Sequence, residues 1–405
     1  MRPINLLEPV NTNIAWYQIS RWPLFNLGFR PLFLFTSMWA CAAMLLWVAL
    51  LTGNLAWQAP FPATLWHAHE MIFAFAGAVA VGFLFTAAQN WTGINTLNGL
   101  PLLLLTGVWL ITRGAAFMSP WPLYSLLFGQ TLFWLGAITH LTWVLHSAKS
   151  KNNYLFVVVL SALCIANLSF LILVLKQAFL LASLFTQLAV ILFTVLIGIV
   201  GGRVIPFFTA RGLGLSEQIR IVKTDKLLLL VSTLGVMGFV AGQIFALPVN
   251  PGYMLLLSAL LHLYRTLRWF HLGVIKVPLL WSLHLGYAAT ALGLLAFAVS
   301  FFGFAEINKD ALHLITIGGI GLMILAMMAR VSLGHTSRPL HSHWLVNLGF
   351  LLCFAAALVR SLGPQVFAPH LAWLLSGALW CTAFACFIWI YFPILTQPRV
   401  DGRRG

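Results

Sequence analysis

Long apolar stretches follow one another along almost the whole chain and are separated by short polar segments. Each is about 20 residues long, the length that an α-helix needs to cross ~30 Å of hydrocarbon. None alternates polar and apolar residues with the period of two that barrel strands show. The pattern predicts an all-α, polytopic membrane protein with twelve transmembrane helices. The predicted spans are 32–51, 69–88, 99–118, 122–145, 155–175, 179–202, 227–248, 253–270, 278–302, 311–330, 344–363 and 370–392.

These spans predict a transmembrane domain at 32–392, preceded by a segment at 1–31 and followed by a tail at 393–405. Residues 1–30 lack the short apolar core and small-residue cleavage site of a secretory signal, so we expect the first helix to be retained. Of the 22 Lys and Arg residues, all but four fall on the same side of the membrane as the amino terminus. The four are Arg113, Lys176, Lys309 and Arg360. The positive-inside rule therefore predicts that both termini face the cytoplasm.

The spans also contain an internal repeat, because predicted helices 1, 5 and 9 begin 123 residues apart, near Leu32, Leu155 and Pro278. This spacing predicts three groups of four helices in a pseudo-threefold arrangement. A shift of 127 aligns Arg203-Val204 with Arg330-Val331, and further matches follow without a gap. They are Thr209 with Thr336, Arg211 with Arg338 and Leu213 with Leu340.

A shift of 244 extends the repeat to the first group, where the match is weaker. It places His69 on His313 and Gly77 on Gly321. Equivalent residues lie at equal depth if the groups are related by rotation about the membrane normal. His69 and His313 are then expected to face a common interior at the outer ends of helices 2 and 10.

Composition agrees with a membrane protein, since 61% of the residues are hydrophobic and only 7% are charged. The net charge of +15 comes from basic residues scattered between apolar runs, which suits membrane orientation better than nucleic-acid binding. The five cysteines form neither CxxC nor CxxCH, so a zinc ribbon and covalently attached haem have no support. Soluble hydrolases and nucleotide-dependent enzymes have none either, because their motifs are missing.

Candidate functional residues cluster in Trp66–Met71, where His67, His69 and Glu70 lie at the start of an uncharged apolar stretch. Such groups are costly in lipid. Imidazole suits haem iron and copper, and two histidines on separate helices can bind opposite faces of one haem. His69 and His313 are the predicted pair. The alternative is that each caps its helix at the membrane interface.

His67 and Glu70 leave more than one role open. His67 points about 200° away from His69 on a continuous helix, so it could serve a second metal, hold a propionate or water, or only face the interface. Glu70 could transfer protons, orient a histidine through a hydrogen bond, or favour the positive end of its helix. We expect Glu70 to lie near the water boundary.

A second group of candidates lies towards the predicted cytoplasmic side. Arg203 and Arg330 are expected to close helices 6 and 10, where they could bind haem propionates or act as positive-inside stops. His284 with His262 or His335 could form an inner metal site. Glycines in helices 6 and 10 are predicted to permit close helix packing. They are Gly198, Gly201, Gly202, Gly318, Gly319 and Gly321.

Several ordered motifs resemble the NnrS family of bacterial inner-membrane proteins, from the first helix to the tenth. The motifs lie in Phe25–Pro31, Trp66–Met71, Asn90–Gly93, Gly202–Thr209, Leu280–Leu285 and Ala311–Thr336. The resemblance implies a twelve-span protein with non-covalent haem b and copper, associated with denitrification and resistance to nitric oxide. The motifs point to candidate metal ligands at His67, His69, His284, His313 and His335. One departure, Gln89 where proline is expected, affects no ligand.

The helix grouping is also similar to the catalytic subunit of haem-copper oxidases, although likeness of fold does not establish activity. The adjacent histidines and the His-x-x-x-Tyr arrangement of those oxidases are missing at helices 6 and 7, so proton-pumping oxygen reduction is not expected.

The leading hypothesis is a haem and copper protein of the inner membrane that handles nitric oxide or protects against nitrosative stress. Its expected partners are membrane lipid, nitric oxide and an electron donor. A metal-dependent oxidoreductase acting on nitric oxide is one form of this hypothesis. The alternatives are a multi-span transporter and a haem-binding sensor or scaffold without turnover.

Overall fold

The computed structural model describes residues 18–117, 122–217 and 220–403, and this part of the chain is helical without a β-strand element. Twelve long helices account for most of it. They are α1 (Phe29–Leu51), α2 (Ala63–Thr92), α3 (Gly99–Gly114), α4 (Pro122–Ser147), α5 (Tyr154–Leu175), α6 (Phe179–Leu213), α7 (Val222–Ile244), α8 (Gly252–Trp269), α9 (Pro278–Val299), α10 (Ala305–His335), α11 (Trp344–Val366) and α12 (Pro369–Thr396). Short 3₁₀ turns lie between them or extend their ends. The turns are Ile19–Arg21, Pro23–Phe25, Ala115–Phe117, Lys151–Asn153, Leu272–Lys276 and Ser300–Phe302.

Each predicted span overlaps one helix over its described residues. Several helices run well past their predicted ends, whereas α7 ends at Ile244, before the predicted end at 248. The expectation that Arg203 and Arg330 close their helices is wrong, since α6 continues to Leu213 and α10 continues to His335. Pro206 lies inside α6 without ending it. A proline removes one helical hydrogen bond, whereas ending the helix in apolar surroundings would leave several backbone groups without partners.

The described residues contain nine helices that are long and apolar enough to cross a membrane, namely α1, α2, α5, α6, α7, α9, α10, α11 and α12. Helix α3 is apolar but has only 16 residues, and α4 and α8 are not among the nine. The chain is therefore a membrane protein with many spanning helices. The full count of twelve crossings stays a prediction.

The chain divides into two compact units. The first unit contains the described residues of 1–182, 328–341 and 384–405, and its core includes Phe75, which packs edge-on against Phe384 with ring centroids 5.3 Å apart. The second unit contains those of 183–327 and 342–383. Its helices α9 and α10 approach closely at Gly286, where a Cβ would lie 3.2 Å from the backbone nitrogen of Met323.

Two helices share an unusual local conformation at the positions that the shift of 244 relates. Helix α2 changes to a π-helix over Glu70–Ala76, and α10 does so over Leu314–Gly321. Each π segment begins directly after a candidate histidine, His69 in α2 and His313 in α10. Short π segments inside α-helices are frequent at functional sites. The shared conformation supports the weaker sequence match between the first and third groups.

A glycine packs against a tryptophan ring at the end of both π segments, directly after the segment of α2 and as the last residue of the segment of α10. A Cβ at Gly77 would lie 2.7 Å from Cζ2 of Trp134 in the first unit. At the aligned position in the second unit, a Cβ at Gly321 would lie 2.5 Å from Cζ3 of Trp380. Both distances are too short for a side chain, so only glycine permits this approach of helix and ring.

Replacing either glycine by alanine should lower thermal stability. The added methyl group must displace a buried indole, and overpacking of this kind costs about 1–3 kcal/mol. Unfolding of purified Gly77→Ala and Gly321→Ala in detergent measures the effect. Gly107→Ala is the matched control, because a Cβ at this helical position of α3 meets nothing within 4 Å. The control should be neutral or slightly more stable, and equal melting temperatures for all three variants would contradict the prediction.

Candidate functional site: buried polar networks

The first unit encloses a carboxylate that has no contact with solvent. Glu70 is 0% exposed, and its Oε2 accepts hydrogen bonds from Nη1 of Arg113 at 2.6 Å and from Nε1 of Trp39 at 2.8 Å. Its Oε1 lies 2.8 Å from Nδ1 of His69. Glu70 is thus enclosed by the protein, and its expected depth near the water boundary stays a prediction. The ion pair and hydrogen bonds satisfy the carboxylate and offset the cost of removing it from water.

His69 continues this network deeper into the unit. The imidazole is 2% exposed, and its Nε2 lies 3.1 Å from Oδ1 of Asn167. The amide nitrogen of Asn167 donates to Oε1 of Gln130 at 3.0 Å, and that same oxygen accepts from Nε1 of Trp134 at 3.0 Å. The network therefore links α1, α2, α3, α4 and α5, through Trp39, Glu70, Arg113, Gln130 and Asn167.

The tryptophan at the end of this network decides where a proton lies on His69. An indole can only donate, so Gln130 presents its oxygen to Trp134. Asn167 must then present its nitrogen to Gln130 and its oxygen to His69. Nε2 of His69 consequently carries a hydrogen, and Nδ1 shares a proton with the Glu70 carboxylate. In this arrangement a metal could bind Nε2 of His69 only after the amide of Asn167 moved away. The ligand role of His69 stays a prediction.

His67 faces a different part of the first unit, as the helical geometry predicts. Its imidazole stacks on the indole of Trp47 in α1, with ring centroids 4.6 Å apart and planes inclined by 16°. His69 instead stacks on Phe170 in α5 at 5.5 Å. The two histidines therefore contact different helices, and the predicted role of His67 at a second metal stays a prediction.

His313 in the second unit has a contact that fixes its tautomer. Nδ1 donates to the backbone oxygen of Lys309 at 2.7 Å, so the lone pair of the neutral ring lies on Nε2. Metal-binding histidines commonly donate their other ring nitrogen to a carbonyl or carboxylate in this way. Close by in sequence, Asp310 pairs with Arg360 at 2.9 Å.

The inner candidates have separate polar partners. In the second unit, Nε2 of His284 lies 2.9 Å from the hydroxyl of Thr209. In the first unit, Nε2 of His335 lies 3.3 Å from the amide nitrogen of Asn90. Arg203 is half-buried and Arg330 is buried, and their predicted contact with propionates stays a prediction. Within residues 18–117, 122–217 and 220–403, no three His, Cys, Asp or Glu side chains are grouped so that they could hold one metal ion.

The second unit contains its own buried network, centred on His262. This side chain is 0% exposed, and its Nδ1 lies 2.7 Å from the hydroxyl of Tyr287. One turn further along α8, Arg265 donates to the backbone oxygen of Gly198 at 3.0 Å and pairs with Asp225 at 3.1 Å. The Arg265 guanidinium also lies over the ring of Trp269, 4.4 Å from its centroid.

The predicted role of the α6 glycines in close packing is confirmed at this network. A Cβ at Gly201 would lie 2.8 Å from Cε2 of Tyr287, and one at Gly202 would collide with the guanidinium of Arg265. At Gly198 a Cβ would lie 3.1 Å from Cε1 of His262. The three glycines thus make room for the three polar side chains.

Sequence reasoning missed most members of both networks. The charge count places Arg113 on the outer side of the membrane, whereas the structure shows it 3% exposed inside α3. Asn167 and Gln130 are polar residues within long apolar stretches, and this was the signal that could have identified them, because such residues in spanning helices usually face a polar partner. Nothing in their spacing indicates that the partner is His69.

Fold and networks together define a polytopic helical membrane protein with buried charge pairs inside its helices. The family model described as NnrS protein matches residues 23–399, nearly the whole chain. The protein belongs to the NnrS family. No curated protein matches the chain at a significant level.

Replacing Glu70 by glutamine should destabilise the protein strongly. The change leaves Arg113 buried without its carboxylate, and breaking a buried ion pair in this way costs about 3–5 kcal/mol. Thermal unfolding in detergent measures the loss. Glu306→Gln is the matched control, because Glu306 is exposed, and it should leave stability unchanged. Adding Arg113→Met to Glu70→Gln should restore much of the loss, since no unpaired charge then remains. A Glu70→Gln protein as stable as wild type would show that the pair does not contribute as described.

Proposed function

We propose that this protein is a haem- and copper-containing protein of the bacterial inner membrane that handles nitric oxide or protects against nitrosative stress in denitrification. The observation that carries the proposal is the match to the NnrS family over residues 23–399. The buried network of His69 and Glu70 supports it, because ionisable groups within membrane helices usually serve a function. The form that we favour is metal-dependent redox chemistry on nitric oxide.

The histidine contacts agree in part with metal binding. Nδ1 of His69 lies on a carboxylate and Nδ1 of His313 on a backbone carbonyl, which are the two partners that orient metal-binding imidazoles most often. We propose His69 and His313 as haem ligands and Arg203 and Arg330 as propionate partners. The remaining metal candidates are His67, His284 and His335. Haem and copper would supply a site for nitric oxide and for one-electron transfer.

The residues around Glu70 would contribute proton handling. Oε1 of Glu70 and Nδ1 of His69 are 2.8 Å apart and can share a proton between them. Arg113 and Trp39 donate hydrogen bonds to Oε2, the other carboxylate oxygen. The shared proton therefore lies between Oε1 and Nδ1 of His69. The burial of these side chains excludes bulk water from that position. A reduction that consumes protons could draw on this pair.

We further propose that all twelve helices cross the membrane, in three related groups of four, with both termini in the cytoplasm. Helix α3 is about 24 Å long, which is short for a span, but the 3₁₀ turn Ala115–Phe117 extends it. The matching π segments of α2 and α10, and the glycines at their ends, support a relation between the first and third groups.

Transport is the second candidate function, and the ion pairs within the helices favour it. Glu70 with Arg113 is a buried charge pair and Asp225 with Arg265 a partly buried one, as in many carriers with internal repeats. Substrate flux into proteoliposomes prepared without metal would support transport.

A third possibility, haem binding without turnover, is tested by following nitric oxide in a sealed electrode chamber with an electron donor. Loss of nitric oxide would exclude it.

Purified wild-type protein should show haem absorption and contain copper. His69→Ala and His313→Ala should each change the haem spectrum, because each removes a residue that we propose would hold the haem. Optical spectra and metal analysis of the detergent-purified proteins provide the measurement. His146→Ala is the matched control, since His146 is an exposed histidine near the end of α4, and its spectrum should equal that of wild type. Wild-type protein without haem, or unchanged spectra in both variants, would refute the ligand assignment.

Alkaline phosphatase fused after the last residue should be inactive, since we place the carboxyl terminus in the cytoplasm, where the enzyme does not mature. The same enzyme fused at Asn54, between α1 and α2, should be active. A green fluorescent protein fused at each position should give the opposite result, because it fluoresces on the cytoplasmic side. An active carboxyl-terminal phosphatase would overturn the proposed orientation.

A further inference from the structure

Three segments of the first unit meet where α10 ends. The tail after α12 lies on the turn that follows α10, with the backbone nitrogen of Val400 3.4 Å from the oxygen of Thr336. From the start of α1, Nη1 of Arg30 donates to the backbone oxygens of Leu395 at 3.0 Å and Gln397 at 2.8 Å. Arg30 is 0% exposed, so this end of the unit encloses a guanidinium that also caps the last helix.

The turn after α10 is held in a strained conformation. Ser337 has a φ of +58°, a region that costs a non-glycine residue about 1–2 kcal/mol. The backbone forms a Schellman motif, in which Ser337 N bonds Gly334 O at 3.4 Å and Arg338 N bonds Leu333 O at 3.0 Å. The serine hydroxyl accepts from Nη2 of Arg399 and donates to Asp401. A glycine at position 337 would relieve the strain, but it has no hydroxyl to bind Arg399 and Asp401 of the tail.

Positive charge at this end exceeds the negative charge that the described residues supply. Three guanidiniums, of Arg30, Arg338 and Arg399, interact there, and those of Arg338 and Arg399 repel that of Arg30. The nearby carboxylate is Asp401, and both of its oxygens already accept from Arg399, at 3.0 and 2.7 Å. Arg399, together with the Ser337 hydroxyl, holds the pKa of Asp401 well below its usual range, so this carboxylate remains ionised and engaged.

Arg338 lacks a comparable partner. Its Nη1 is buried and has no hydrogen-bond partner in the described part of the chain, although the residue as a whole is only half-buried. The other carboxylate in the described part of the first unit, Glu70, is bound by Arg113. A buried guanidinium nitrogen without an acceptor is costly. The half-exposed position of Arg338 leaves a route by which an acceptor could reach it.

We propose that Arg338, with Arg30 and Arg399 beside it, binds a phosphate-type oxyanion at this end of the first unit. A planar guanidinium presents paired donors that match the oxygens of a phosphate group. The same chemistry is offered by the headgroup of an anionic phospholipid and by free inorganic phosphate. Phosphatidylglycerol is the expected source, because basic side chains at the end of membrane helices attract anionic lipid. The proposal is independent of haem, copper and nitric oxide.

The test compares full-length wild type, Arg338→Gln and Arg211→Gln, purified in a mild detergent. Arg211 is the matched control, because the internal repeat aligns it with Arg338 while its exposed side chain lies over Phe207 in the second unit. Retained phospholipid is measured as phosphorus in a solvent extract and as adducts in native mass spectrometry. The rise in melting temperature is then titrated with phosphatidylglycerol, phosphatidylcholine or inorganic phosphate.

Wild type and Arg211→Gln should retain phospholipid and be stabilised by phosphatidylglycerol more than by phosphatidylcholine. Arg338→Gln should bind phosphatidylglycerol about tenfold more weakly, the effect of losing one hydrogen bond to a charged group. Arg338→Lys, which keeps the charge without the planar fork, should bind more weakly than wild type and provides the comparison if Arg338→Gln does not fold. Stabilisation of wild type, but not Arg338→Gln, by phosphate alone would support the proposal with the free ion as ligand. Equal binding by wild type and both Arg338 variants, or an equal loss in Arg211→Gln, would overturn it.

Discussion

Burial of the Glu70 carboxylate is the constraint on which the first unit depends. A charge inside apolar helices must be paired and hydrogen-bonded, because water is not there to stabilise it. Arg113, Trp39 and His69 supply the partners from three helices, and His69 extends the linkage to Asn167 on α5. Moving any of these helices would leave a buried donor or acceptor without a partner. The polar network therefore fixes the arrangement of five helices that apolar contacts alone would leave less specific.

The second unit uses the same principle with different residues. Arg265 pairs with Asp225 in place of Arg113 with Glu70, and His262 lies on the hydroxyl of Tyr287 instead of a carboxylate. Glycines of α6 provide the space, since larger residues would displace the tyrosine ring and the guanidinium. In both units a buried arginine and a buried histidine lie close together in sequence or in space. Each unit thus positions an imidazole through a network that tolerates little movement.

The contacts of His69 also determine which neighbouring side chains must move before a metal can bind this residue. The contact of Nδ1 with the Glu70 carboxylate is of the kind that orients metal-binding histidines. The contact with the Asn167 amide instead occupies Nε2, the nitrogen that would bind the metal. Binding through Nε2 therefore requires Asn167 to exchange its partner, which would disturb Gln130 and Trp134 as well. Trp134 packs on Gly77 at the end of the π segment. Metal binding at His69 would therefore be coupled to the conformation of α2 through this chain of contacts.

The sequence by itself determined the class of protein, since apolar runs of spanning length predict helices wherever they occur. The motifs also identified the family, and the repeat aligned His69 with His313, each of which directly precedes a π segment. Tertiary structure alone decided that Glu70 is buried and that Arg113 is its partner. Hydropathy scores each residue alone, so it gave no partner for Arg113 within the span 99–118 and ended α6 too early. Pairing energies depend on which helices meet, and residues as distant in sequence as Glu70, Arg113 and Asn167 meet only once the helices have packed.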